Sequence, residues 1–117
     1  MNTKELIENT DFHDSCLTEM SMEGNRVRLR FEHVWVDDDN CYQATVTLGG
    51  VSKVTRDDEV VNALRMEGEG SSVLAFNRSG HTATMILVWR YYSPRKDETC
   101  SYTFDFTTFD LQAERQD

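Results

Sequence analysis

Hydrophobic and polar positions alternate along most of this chain with a period of two, the spacing of a half-buried β-strand. The longest apolar stretch, Thr82 to Tyr92 (TATMILVWRYY), has Ala83, Met85, Leu87, Trp89 and Tyr91 on one face without interruption. Its other face carries Thr82, Thr84, Ile86, Val88 and Arg90, apolar in the middle and polar at the ends. A strand apolar on one face and half apolar on the other is expected inside its sheet. The stretch is rich in β-branched and aromatic residues and too short to cross a membrane as a helix.

The same alternation predicts a meander before it. A strand from Cys16 to Met22 leads into the turn Glu23-Gly24-Asn25-Arg26, and a second strand runs from Arg26 to Val36. Pairing Glu23 with Arg26 sets Met22 opposite Val27, Met20 opposite Leu29 and Thr18 opposite Phe31 on one face. On the other face Ser21 meets Arg28 and Glu19 meets Arg30. A slip of one residue breaks both matches, so the register is well specified. Val27, Leu29, Phe31, His33 and Trp35 are then expected inward, with Cys16 facing His33. Asp37-Asp38-Asp39-Asn40 reverses the chain into a third strand, Cys41 to Leu48, whose inward residues are Tyr42, Ala44, Val46 and Leu48. That places Trp35 opposite Tyr42, Phe31 opposite Val46 and Leu29 opposite Leu48.

Residues 51–70 admit two readings. Thr55 as N-cap, an acidic first turn, Arg65 in a last turn and Gly68 beyond it make a short helix over 55–67. The competing reading is an extended pair around Val51 to Val54 and Val60 to Met66. A short strand from Val73 to Phe76, a hairpin loop Asn77-Arg78-Ser79-Gly80, and a loop Ser93 to Glu98 around the single proline bracket the Thr82 to Tyr92 strand. The last strand starts at Thr99, with Cys100, Tyr102, Phe104 and Phe106 inward, opposite Tyr91, Trp89, Leu87 and Met85. The apolar parity flips after Phe106 to Phe109 and Leu111, so Thr107-Thr108 reads as a bulge or strand end. Met1 to Asp11, with at most one helical turn, and Ala113 to Asp117 read as polar ends. The expected fold is all-β: one domain over 1–117, an antiparallel β-sandwich or a strongly curled half-barrel with at most one short helix. The alternative is an α+β fold with the 55–67 helix. Trp35, Trp89, Phe31, Phe104, Phe106, Tyr42 and Tyr102 are expected to dominate the core.

Charge narrows the function. A formal net charge of −9 argues against nucleic-acid binding, which needs a basic face. Three widely spaced cysteines, Cys16, Cys41 and Cys100, without a CxxC, fit reduced thiols in the cytoplasm better than a disulfide framework or a zinc site. No secretory signal is legible in Met1 to Thr10.

Catalytic sets are not found. His13-Asp14-Ser15 has the residue types of a hydrolase triad, but sequence neighbours cannot converge as one. Those residues read as a turn whose Asp14 and Ser15 accept backbone N–H bonds. His13, His33 and His81 give too few converging metal ligands. Asp37-Asp38-Asp39-Asn40 lacks the glycine and glutamate of a calcium loop, with Tyr42 and Leu48 at those places. No phosphate-binding loop is present, so no enzyme activity, metal or cofactor is expected. Three acidic loop clusters remain as candidate partner-binding residues: Asp37, Asp38 and Asp39; Asp57, Asp58 and Glu59; Glu67 and Glu69. An acidic surface on a rigid β scaffold suits a basic partner by charge.

Phe12-His13-Asp14-Ser15 followed by a Glu-Gly-Asn hairpin, then Gly68-Glu69-Gly70, the VLAF and MILVW strands and Ser101-Tyr102-Thr103-Phe104, resembles a group of small bacterial β-proteins. Some of that group are assigned as immunity proteins that neutralise polymorphic or contact-dependent toxins. The resemblance covers roughly 12 to 111. It implies extended structure over Val51 to Met66, a non-enzymatic role and a basic, nuclease-like toxin as protein partner. It carries over no catalytic residue. No nucleic-acid or membrane partner is expected. The competing expectations are a self-associating assembly module, for which a homodimer is the natural form, and a small-ligand binder with a cavity near His33 and Cys16.

Overall fold

The computed structural model describes Thr10 and residues 12–116. The lead-in Thr3 to Asn9, read as one helical turn or an extended segment, lies outside the described residues. Nine strands follow in chain order: β1 Cys16–Glu23, β2 Arg26–Trp35, β3 Cys41–Gly49, β4 Lys53–Arg56, β5 Glu59–Val60, β6 Gly70–Ser79, β7 Thr82–Tyr92, β8 Arg95–Asp105 and β9 Thr108–Arg115. They form two antiparallel sheets, ordered β1-β2-β3-β9 and β5-β4-β8-β7-β6, which cover each other as an open sandwich. No helix occurs among the described residues, and neither sheet closes into a barrel.

The Thr82 to Tyr92 strand is β7, bonded to β6 on one side and β8 on the other. Its inward Ala83, Met85, Leu87 and Trp89 are buried. The β1–β2 hairpin keeps the expected register from Glu23↔Arg26 to Met20↔Leu29, with Gly24 taking φ +58° at the tip. Farther along it departs. A bulge at Thr18 brings Leu17, not Thr18, opposite Phe31 and into the core.

A second bulge lies on β2 between Phe31 and Val34. His33 sits there at φ +58°, and its N–H donates to Gln116 Oε1 at 2.9 Å. The extra residue inverts the parity downstream, so Val34 is buried while His33 and Trp35 point outward. The expected inward placement of His33 and Trp35 is therefore wrong, and Cys16 faces Glu32. The β2–β3 register also differs by two residues: Phe31 meets Ala44, Leu29 meets Val46, and Val34 takes the place of Trp35 opposite Tyr42.

Residues 51–70 settle on the extended reading in part. Asp57 and Asp58 both take positive φ, 51° and 70°, in a two-residue loop joining β4 to β5. Two left-handed residues in succession make the hairpin turn that matches strand twist, and they forbid a helix through Asp57. Between β5 and β6 the chain carries no regular element, and Gly68 lies against β7. A Cβ on Gly68 would sit 2.9 Å from the Arg90 carbonyl oxygen, so only glycine allows the bond from Glu69 N–H to that oxygen at 2.8 Å.

Strand β6 is longer than expected and runs to Ser79, leaving Gly80-His81 as the loop. Strand β8 starts at Arg95, just after the Ser93-Pro94 turn. Its inward residues are as expected, but the pairs are Leu87↔Cys100, Met85↔Tyr102 and Ala83↔Phe104. The long loop expected at Ser93 to Glu98 is absent, which moves the register. The parity flip after Phe106 marks a change of sheet: β9 leaves β8 and pairs with β3 through Arg115. Ala113 to Arg115 are therefore strand, not tail.

The layers join where β1 meets β6. Asp14 N–H donates to Val73 O, Val73 N–H to Ser15 O, and Ser71 Oγ bonds both Leu17 N and Leu17 O. His13-Asp14-Ser15 is the turn before β1; Ser15 Oγ donates to Phe12 O at 2.6 Å rather than accepting from the backbone.

Candidate functional site

The β2–β3 loop is built from the His33 bulge outward. Because that bulge inverts β2, Trp35 leaves the core with half of its surface exposed. The chain then closes by Val36 N–H to Asn40 O at 3.1 Å. The Asp37 carboxylate accepts from Asp39 N–H at 2.9 Å and from Asn40 Nδ2 at 2.8 Å. These bonds, the Asn40 side chain first, hold the Asp37 carboxyl below its usual range. Asp38 and Asp39 make no side-chain bond among the described residues and stand in solvent. Trp35, Val36, Asp37 and Asp38 line a shallow open recess of about 350 Å3. The loop thus presents one large ring beside unpartnered carboxylates on a pinned turn.

Two of the other candidate acidic residues, Asp57 and Glu67, lie around Arg56. Its guanidinium takes Glu67 as a two-pronged pair, Nε to Oε2 at 2.9 Å and Nη2 to Oε1 at 3.0 Å. The same Nη2 reaches Glu98 Oε1 at 2.7 Å, and Nη1 lies 3.4 Å from Asp57 Oδ2. Tyr102 donates to Glu67 Oε2 at 2.7 Å and accepts from Trp89 Nε1 at 3.1 Å. A polar chain therefore runs from the indole in the core to the surface carboxylates. The pairs hold Arg56 even more firmly charged than usual, while burial, then Glu67, raises the Tyr102 hydroxyl. Burial pushes the Cys100 thiol up to about 11.

Arg56, Glu67 and Tyr102 also form one wall of a cleft of about 320 Å3, closed by Met20, Val61, Ala63, Leu64 and Arg65. Every polar group on that wall has a partner, so the cluster acts as a clamp that ties the β5–β6 segment to β4 and β8.

Of the sequence-predicted residues, the structure brings Asp57 and Glu67 together on Arg56. Asp57 is further bound through Oδ1 to Ser101 N–H at 2.8 Å. Asp58, Glu59 and Glu69 are exposed. Asp37, Asp38 and Asp39 sit in their own loop with Trp35. Cys16 and His33 do not converge, and no group of three or more His, Cys, Asp or Glu is placed to hold a metal ion among the described residues. No helix among the described residues is long and apolar enough to cross a membrane. Sequence reasoning missed two residues. Arg56 gave no local signal, because its closest partners, Glu67 and Glu98, lie 11 and 42 residues farther along the chain. Trp35 had one: an inward His33 left Val34 and Val36 facing out.

The Glu98 carboxyl is held below its ordinary value of 4.5, by Arg56 first and then Lys96. A depressed folded-state value means that this stabilisation is present above the unfolded value and is lost as pH falls through the lower, folded one. Stability should therefore drop as acid is added below about pH 4.5. Urea midpoints at neutral pH and at about pH 3.5 would show it, and Arg56→Met should flatten the Glu98 share of the difference.

The class defined here is an open antiparallel β-sandwich with an exposed aromatic-acidic hairpin loop. Compared with known protein families, characterised proteins and solved structures, the chain matches none of them.

Proposed function

We propose that this is a non-enzymatic binding protein that docks a basic protein surface through Trp35 and the Asp37 to Asp39 loop. Its best specific form is a cytoplasmic immunity protein that neutralises a basic, nuclease-like toxin by covering its active surface. The carrying observation is the half-exposed Trp35 lining one recess with Asp38, whose carboxylate has no partner among the described residues. Exposed tryptophan is the residue type most enriched among binding hot spots. A ring next to carboxylates complements lysine and arginine by cation–π contact and ion pairing together. The strands on either side hold the loop in place, so little ordering entropy opposes docking.

The test is a side-by-side capture of partners by the wild-type chain and by a Trp35→Ala/Asp38→Ser/Asp39→Ser variant. Asp37 is left in place because it holds the turn. A basic protein retained in equal amount by the wild type, released by salt and lost by the variant supports the reading. With that partner, Trp35→Ala alone should weaken binding at least about tenfold. The same change should cost about 1–3 kcal/mol of stability, since half of the side chain is buried, and leave the chain folded, as a urea melt would show. A partner held equally by both chains removes this loop from the interface.

A further inference from the structure

The two outer faces of the sandwich differ in charge. On the β1-β2-β3-β9 sheet the outward positions carry Glu19, Arg28 and Arg30, with Glu114 at the far edge. On the other sheet, the rows through Thr84, Ile86 and Val88 cross β8, β7 and β6, and the first continues onto β4 through Thr55. Those rows hold threonine, serine, asparagine, alanine, isoleucine and valine, and no charged side chain. In a chain with 28% charged residues, a solvent-facing sheet centre without one is a marked depletion. Charge depletion is the compositional mark of an interface core. Ile86 and Leu74 are among the exposed large hydrophobic residues, and both lie in this region. The described residues span 20 Å along their thinnest axis, the depth of two packed sheets, so among them no third layer lies over this face.

We propose that this face binds a second copy of the same chain, sheet against sheet, about a two-fold axis that runs along the strands between β7 and β8. Charge selects both the occupant and the axis. Two copies that each carry −9 repel, and the uncharged face is where they can approach closely. At one end of it Arg90 and Asp97 stand directly opposite each other on β7 and β8. Neither makes an ion pair or side-chain hydrogen bond among the described residues. The proposed axis lays β7 of one copy over β8 of the other. Arg90 then faces the second copy's Asp97, twice by symmetry. An axis across the strands would instead set Asp97 near the second copy's Asp105. Four strands spaced as in any sheet, over the length from Thr82 to Arg90, offer about 500 Å2 per copy. That is the low end of specific interfaces and fits a reversible dimer.

The experiment is light scattering and sedimentation of the full chain from micromolar to millimolar concentration. The mass should rise from 13.5 kDa towards twice that value. Ile86→Lys, which places a charge at the centre of the contact, should stay monomeric with an unchanged near-ultraviolet spectrum of the buried Trp89. Arg90→Asp should weaken the dimer at least about tenfold, and Arg90→Asp/Asp97→Arg should restore it. A wild-type chain that stays at 13.5 kDa throughout overturns the proposal. So does a dimer that persists in folded Ile86→Lys, or a charge-swapped chain that associates no better than Arg90→Asp.

Discussion

Phe31→Ala is expected to destabilise the protein by about 3–5 kcal/mol, the largest loss from any single substitution considered. Phe31 is fully buried on β2 and links the layers. Its ring meets Phe12 edge-on, with centroids 4.8 Å apart at 89°, and Phe76 on β6 at 5.5 Å and 66°. Phe12 and Phe76 in turn stack at 5.3 Å. Truncation removes the shared corner of this triangle and leaves a cavity between two sheets whose strands cannot shift independently to fill it. Urea unfolding followed by the fluorescence of Trp89 measures the loss. Phe31→Leu, which keeps most of the volume, should cost about 1 kcal/mol. A loss below about 1.5 kcal/mol for the alanine variant would show that Phe12 and Phe76 close the gap.

The second large effect is expected at Arg56. Removing one member of a fully buried ion pair costs about 3–5 kcal/mol, because the remaining charge is stranded. The Arg56 and Glu67 side chains keep 27% and 22% of their exposure, so water relieves part of this penalty. Arg56→Ala should therefore lose about 2 kcal/mol, with the β5–β6 segment released first. Hydrogen exchange at Glu69 N–H, which is bonded to Arg90, reports that release separately from global unfolding. Replacing both charges, as Arg56→Met with Glu67→Leu, should lose less than Arg56→Ala alone. If the double variant is the weaker, the clamp is holding the segment by net attraction and not by avoidance of a stranded carboxylate.

The contrast between β7 and β2 shows what the sequence makes legible. On β7 the alternation is unbroken, so its limits, its inward face and its place inside a sheet all followed from period alone. The β1–β2 hairpin gave its register for the same reason, until Thr18. Bulges defeat this reasoning because one added residue inverts every later side chain. At Thr107-Thr108 the inversion was read correctly from the jump in apolar parity. At His33 the same sign was present in Val34 and Val36, but the aromatic Trp35 outweighed it, and the most conspicuous residue of the candidate loop was assigned to the core. The acidic loops were legible as loops, since Asp, Asn and Gly mark turns. Their division into free and bound carboxylates was not. Whether Glu67 meets solvent or Arg56 depends on β4 lying beside β8, a long-range pairing with no local signature.

The passage of the chain from β8 to β9 bears on how the protein is made. Strand β3 is paired early on one side, by β2, but its other neighbour is β9, far downstream. While the polypeptide is still emerging from the ribosome, β3 therefore keeps a bare edge of eight residues, Tyr42 to Gly49, that includes Val46 and Leu48. Such an edge is a template for pairing with neighbouring nascent chains. A released chain cut short between β8 and β9 would keep the other eight strands but leave that edge bare, and aggregation of such truncated chains would be concentrated there.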